Sequence, residues 1–145
     1  MVDQTHHPAL LEMMRSLYRE DPASAAVPDS HFQATLATLL IQPQSGRVVL
    51  FLDEAKTLHG YAILIPYWSN EFGGVIVFVD ELYVRMESRN RGIARGLFTF
   101  VADARPFDAK IIALEVSPDN VKARRLYESL GFETRRYTMM TMPIQ

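Results

Sequence analysis

Three clusters of side chains in this sequence are of types and spacings that could do chemistry. The first is RNRGIARG, residues 89–96, where Arg89, Arg91 and Arg95 are interleaved with Asn90, Gly92, Ile93, Ala94 and Gly96 shortly after the largely apolar stretch VIVFVDELYV. If the segment opens a helix, its first-turn N–H groups lack intrahelical partners and the helix dipole favours an anion there. Gly92, Ala94 and Gly96 keep those amides uncrowded. With several amides and more than one guanidinium at hand, a diphosphate suits the segment better than a carboxylate. It is no Walker loop, since no GK[ST] follows, and Ala94 stands where a full GxGxxG needs glycine. A solvated helix start with scattered arginines would read the same way in isolation.

The second cluster is the acidic pair Asp80 and Glu81, inside VIVFVDELYV. Side chains alternate across a strand, so the two carboxylates face opposite sides unless the strand bulges. An alkyl ammonium with a pKa near ~10.4 leaves only about one part in 10³ as free amine at neutral pH, and a carboxylate could take that proton. It could equally attract a cation, or only help order the sheet. The third cluster is NVKARRLYESLGF, in which Asn120 caps a helix and Tyr127 sits beside the stripe Ala123, Leu126 and Leu130. Tyr127 on its own reads as a packing residue, although a phenol with a pKa near ~10 is also an acid that stays protonated until needed.

Other chemistries are narrowed by what is missing. The chain has no cysteine, which removes thiol nucleophiles, disulfides and cysteine-rich zinc sites. Neither Ser117 nor Ser129 stands in a nucleophile–base arrangement, so acyl transfer would pass directly between substrates. His6, His7, His31 and His59 lack metal-ligand spacing, and no metal is expected. A net charge of -2 provides no field for a nucleic acid. No apolar run reaches the ~18 residues of a membrane span, so no membrane partner is expected, and the lack of disulfides fits a cytoplasmic protein.

The elements that must position these clusters follow from periodicity. Pro8, Leu10, Leu11, Met13, Met14, Leu17 and Tyr18 mark a first helix, broken by residues 20–29. Ser30 would cap a second helix carrying Phe32, Leu36, Leu39 and Leu40. Strands are predicted at 48–52, 58–66 and 75–84, with YWSNEFGG as the connection between the last two. A third helix runs from Gly92 to Pro106, a strand from Lys110 to Val116, and a fourth helix from Val121 to Leu130, closed by Gly131. ETRRYTMMTM reads as a last strand. The whole, residues 1–145, reads as a single α+β domain with a mixed sheet flanked by helices.

The ordered set DELYV, RNRGIA and NxxAxxLYExLGF resembles the GCN5-related N-acetyltransferases over residues 47–142, RNRGIA matching their [RQ]xxGx[GA] signature. Within that superfamily, IPYWSNEFGG ahead of the acidic pair is similar to the diamine acetyltransferases of the spermidine/spermine and thialysine type. The family's opening strand would be short or missing, because the first helix already begins by Pro8; alternatively the start has been placed too late.

The resemblance implies acetyl-CoA as cofactor. The backbone of Leu82, Tyr83 and Val84 would pair with pantetheine, residues 89–96 would hold the diphosphate, and Asn120 would contact or shape the pantetheine site. Tyr127 would donate a proton to departing coenzyme A. Asp80 would take the amine's proton through water, with Glu81 second. A small primary amine is the implied acceptor, met by Glu20, His31, Tyr67, Trp68 and Asp80, and a homodimer is the implied assembly. A protein N-terminal or lysine acetyltransferase, or a non-catalytic acyl-CoA-binding module, would use the same motifs.

Overall fold

The computed structural model describes residues 4–23 and 25–144, and these form two compact units, 1–115 and 116–145. In the first unit, α1 (His7–Glu20) and α2 (Asp29–Ile41) precede β1 (Arg47–Leu52), β2 (Leu58–Ser69) and β3 (Gly74–Val84). Then come α3 (Ile93–Ala104) and β4 (Ile111–Leu114). The sheet order is β1-β2-β3-β4; the first three strands are antiparallel and β4 lies parallel to β3. A parallel neighbour requires a crossover, which α3 supplies. This is the expected α+β arrangement with a mixed sheet flanked by helices.

Helical spacing accounts for the core. Leu10, Met13 and Met14 of α1 and Phe32, Leu36 and Leu39 of α2 are buried against Tyr61, Ile63 and Tyr83 of the sheet. Residues between them along β2, Ala62 and Leu64, point to the opposite face and are buried too, as are Val77 and Val79. On α3, Leu97, Phe98 and Val101 form the buried stripe.

Local chemistry shifted several boundaries. α2 starts at Asp29, ahead of the predicted Ser30 cap, because Pro28 takes the cap position in extended conformation. The Asp29 carboxylate is held by Arg15 Nε at 2.9 Å, a bond to α1. β2 runs on to Ser69, so Tyr67 and Trp68 are strand residues paired with Ile76 and Val75, not connection. Aromatic residues favour extended backbone, and Gly73 at φ +58° lets a short turn close the hairpin. Gly60 is needed where β2 crosses the end of β3: a Cβ there would run into the Tyr83 carbonyl oxygen.

No strand precedes α1 among the described residues, where a 3₁₀ turn, Gln4–His6, stands instead; Met1 to Asp3 lie outside them. Among the described residues no helix is long and apolar enough to cross a membrane.

The second unit contains α4 (Val121–Ser129). Asn120 caps it as expected, its Oδ1 accepting the Ala123 N–H at 3.2 Å, and Gly131 at φ +90° ends it. The predicted last strand is not formed: residues 133–144 carry no strand pairing and are exposed. A strand exists only through a ladder partner, and the adjacent Met139 and Met140 break the alternation that would give it a buried face. Both are largely exposed.

Candidate active site

The acidic pair sits on a β-bulge. Ile63 pairs with Glu81 and Leu64 with Val79, which leaves Asp80 as an extra residue of β3 with no partner on β2. An extra residue breaks the alternation of the pleat and re-aims the side chains around it. The expectation of opposite faces holds for an unbulged strand, and this strand is bulged. Glu81 turns to the face covered by α1, where its Oε1 accepts the Tyr18 hydroxyl at 2.9 Å and its Oε2 the Tyr61 hydroxyl at 2.6 Å. Asp80 is near enough for its charge to act on both Glu81 and Tyr18.

The electrostatics follow from that packing. Burial raises the Glu81 carboxyl above its ordinary range; the two tyrosine hydrogen bonds oppose the rise and the charge of Asp80 adds to it. Asp80 stays open to solvent, yet the protein around it displaces enough water to raise its carboxyl as well. The Tyr18 and Tyr61 phenols are raised by burial first and by Glu81 second, so both remain donors.

The bulge coincides with the end of the β3–β4 pairing. β3 pairs with β4 only over Ile76–Val79, and from Asp80 to Val84 its far edge has no strand partner among the described residues. Leu82, Tyr83 and Val84 thus lie where β3 is paired on one side only, with Ala62, Tyr61 and Gly60 of β2.

Residues 89–96 form the predicted loop and helix start. Asn90 (φ +63°) and Gly92 (φ +77°) are both left-handed, and Gly92 is the N-cap of α3. The Gly96 N–H is the first to bond back, to Gly92 O at 2.8 Å, so the amides of Ile93, Ala94 and Arg95 lie outside the helical ladder. Beyond the Cα atoms of Gly92 and Gly96 there is open space, with nothing within 4 Å of a would-be Cβ. Room, amides and dipole fit an oxyanion of the size a diphosphate presents.

Arg89 belongs to a different arrangement. Its Nε donates to Val84 O at 2.8 Å, its Nη2 to Glu20 Oε2 at 2.6 Å, and its guanidinium lies 5.6 Å from the Tyr83 ring centroid. Arg89, expected on the diphosphate, and Glu20, expected on the acceptor, are thereby bonded to each other. Arg91 and Arg95 stay exposed at the helix start.

The other acceptor residues are spread out. His31 is exposed on the first turn of α2. Tyr67 and Trp68, 49% and 70% exposed, stand at the far end of the β2–β3 hairpin. A cleft of about 350 Å³ between α1 and the end of β3 has Glu12, Arg19, Glu20, Tyr83, Arg85 and Glu87 among its lining residues. Among the described residues no group of three or more His, Cys, Asp or Glu could hold a metal.

In the second unit, Tyr127 is half-buried with its ring 5.8 Å from that of Phe132, and burial raises its phenol. Sequence reasoning missed Tyr18 and Tyr61. Each reads as one more apolar-stripe residue, and Tyr18 lies 63 residues from the carboxylate it binds.

Comparison with known proteins bears on the same residues. A model of the acetyltransferase (GNAT) family matches residues 10–132. An uncharacterized N-acetyltransferase of Bacillus subtilis (strain 168), YhfO, is 31% identical over 87 residues, covering 59% of this chain and 58% of that protein. The chain therefore matches little more than half the length of that curated relative. Among solved structures, integron cassette protein HFX_CASS3 from the mobile metagenome of Cole Harbour Salt Marsh superposes with a TM-score of 0.76 at 25% identity, over 97% of this chain and 86% of that one. A possible acetyltransferase from Clostridium difficile 630 superposes at 0.83 with 18% identity, over 99% and 95%. With the family's model matched over residues 10–132, this chain belongs to the acetyltransferase (GNAT) family and has its fold.

Proposed function

We propose that the chain transfers an acetyl group from acetyl-CoA to a small primary amine, directly within a ternary complex. The observation that carries this reading is the bulge at Asp80. One extra residue sets an acidic pair at the point where β3 leaves β4, two residues from Leu82 and one short turn before the amide-rich helix start. Bound acetyl-CoA would supply an acyl group already activated as a thioester. What remains for the protein is to hold both partners, remove a proton from the amine and stabilise developing negative charge on oxygen.

Residues 91–96 would hold the diphosphate, and the unpaired edge of Leu82–Val84 the pantetheine arm, with Asn120 shaping its site. Asp80 takes the amine proton through water: it is solvent-facing, and its raised pKa moves it toward the working range of a general base. Both oxygens of Glu81 are already bonded to tyrosines, which suits it to fixing local charge. Tyr127 would serve as the proton donor when coenzyme A departs, a role supported by the LYESLGF motif around it and by the burial that keeps its phenol protonated.

A diamine or polyamine acceptor is supported by IPYWSNEFGG ahead of the acidic pair, the stretch similar to the diamine acetyltransferases. We place the reaction in one domain spanning residues 1–145. A homodimer is supported by the exposed Tyr137, Met139, Met140, Met142 and Ile144, which a second copy would cover.

The deciding experiment is a panel of diamines, polyamines, amino acids and peptides with acetyl-CoA, followed by release of free thiol. Turnover with small amines is expected. Turnover with peptides alone would overturn the acceptor class, and coenzyme A binding without turnover of any amine would overturn the enzyme reading.

A further inference from the structure

We infer that Asp53, His59 and Ser88 form a positioning relay that holds the start of the diphosphate loop in its binding shape. The inference rests on the reading that residues 91–96 take the diphosphate of coenzyme A. His59 Nδ1 lies 2.8 Å from Ser88 Oγ, and its Nε2 lies 3.0 Å from Asp53 Oδ2. Ser88 is 1% exposed. A buried hydroxyl without a partner is costly, and His59 is its partner.

The relay has a direction. The Asp53 carboxyl is held below its ordinary range by the bond from His59 and by the Thr57 N–H, which donates to Oδ1 at 2.8 Å. An ionised Asp53 accepts from Nε2–H, and the remaining lone pair on Nδ1 then accepts the Ser88 O–H. A serine–histidine–aspartate chain also occurs in acyl-transfer enzymes, with the imidazole turned the other way round. Here Ser88 is sealed from any substrate carbonyl, so the chain positions and does not attack.

What it positions is the turn ahead of the loop. His59 grips that turn twice: its carbonyl accepts the Arg85 N–H at 2.8 Å and its ring accepts from Ser88. Ser88 N–H in turn donates to Arg85 O at 2.9 Å. Immediately beyond lie the left-handed Asn90 and Gly92, a shape that glycine adopts freely and that asparagine tolerates better than most side chains. Arg91 and Ile93 share the wall of a shallow recess with Asp53 and His59, which places the relay against the loop it supports. A loop ordered before its ligand arrives loses less conformational freedom on binding.

Ser88→Ala, Asp53→Ala and Asp53→Asn, the last keeping a carbonyl acceptor for Nε2–H, test the relay. Coenzyme A is titrated by calorimetry, pantetheine (which lacks the diphosphate) is measured as its competitor, and amide exchange of residues 89–93 is followed in the free protein. S88A and D53A are expected to weaken coenzyme A about three- to tenfold, the worth of one hydrogen bond. They should speed amide exchange in the loop and leave pantetheine unchanged, while D53N stays near wild type. Asp53 is a surface residue, so D53A tests the relay even if S88A folds poorly. Unchanged coenzyme A affinity in D53A and S88A, or a parallel loss for pantetheine, would overturn the relay. Failure of the wild type to bind coenzyme A would instead overturn the diphosphate reading, and the relay's role with it.

Discussion

Tyr61 donates its hydroxyl to Glu81 at 2.6 Å from a fully buried position on the neighbouring strand. Glu81 stands opposite Ile63 in the register, two residues along from Tyr61, and it faces Tyr61 only because the extra residue Asp80 shifts the pairing. Tyr18, from α1, completes the clamp. The acid that an even alternation would have turned to the other face becomes the polar centre of the helix-covered face.

Tyr61→Phe removes one of the two donors and leaves a partly buried carboxylate oxygen unsatisfied. Unsatisfied buried groups cost about 1–3 kcal/mol, so a fall in unfolding free energy of that size is expected from urea denaturation. Tyr18→Phe should cost less, because Tyr18 is the less buried of the two. Equal stability of Y61F and wild type would show that the clamp carries no weight.

Glu81 has its folded pKa raised above its ordinary value of 4.5. The folded state then holds this proton more tightly than the unfolded one. The contribution to stability is complete below the ordinary carboxylate range and declines as pH rises through the raised folded value. Glu81→Gln keeps an amide oxygen for a tyrosine and cannot titrate. Its melting temperature is expected to vary less with pH over that window than that of wild type.

Asp80→Asn should lower kcat about 10²- to 10⁴-fold for a productive amine, the usual worth of a general base. Because burial raises Asp80, the acid limb of the wild-type rate profile is expected above the ordinary carboxylate range. That limb should vanish in D80N. Coenzyme A affinity, measured separately, should hold.

Gly96→Ala separates folding from binding at the helix start. Open space surrounds the position, and alanine favours a helix over glycine by roughly 0.5–1 kcal/mol, so the melting temperature should hold or rise. The added methyl narrows the approach to the amides of α3, and weaker coenzyme A binding is expected by calorimetry. Tighter or unchanged binding would count against a diphosphate seated there.

Much of this was legible in the order of residues. Leu10, Met13 and Met14, or Leu97, Phe98 and Val101, announce helices because burial repeats at the helical period. Gly92 and Asn120 announce helix starts because their side chains, or the lack of one, suit those backbone positions. Other features were invisible for want of a local cause. Residues 133–144 alternate loosely enough to read as a strand, yet pairing depends on a partner that no pattern names. Arg89 and Glu20 each read as ligand-facing charges until the end of α1 is set beside the end of β3.

The sequence by itself determined the kinds of group on offer and, except for the last strand, where the elements begin and end, to within a few residues. It set out an amide-rich helix start, two neighbouring carboxylates, a capped helix carrying a phenol, and no thiol. Which of those groups meet was decided only in three dimensions. The bulge at Asp80, the tyrosine clamp on Glu81 and the Asp53–His59–Ser88 chain all join residues that are distant in sequence or out of phase with the pleat. Periodicity is local, whereas these contacts exist because strand register and helix packing bring separate segments together.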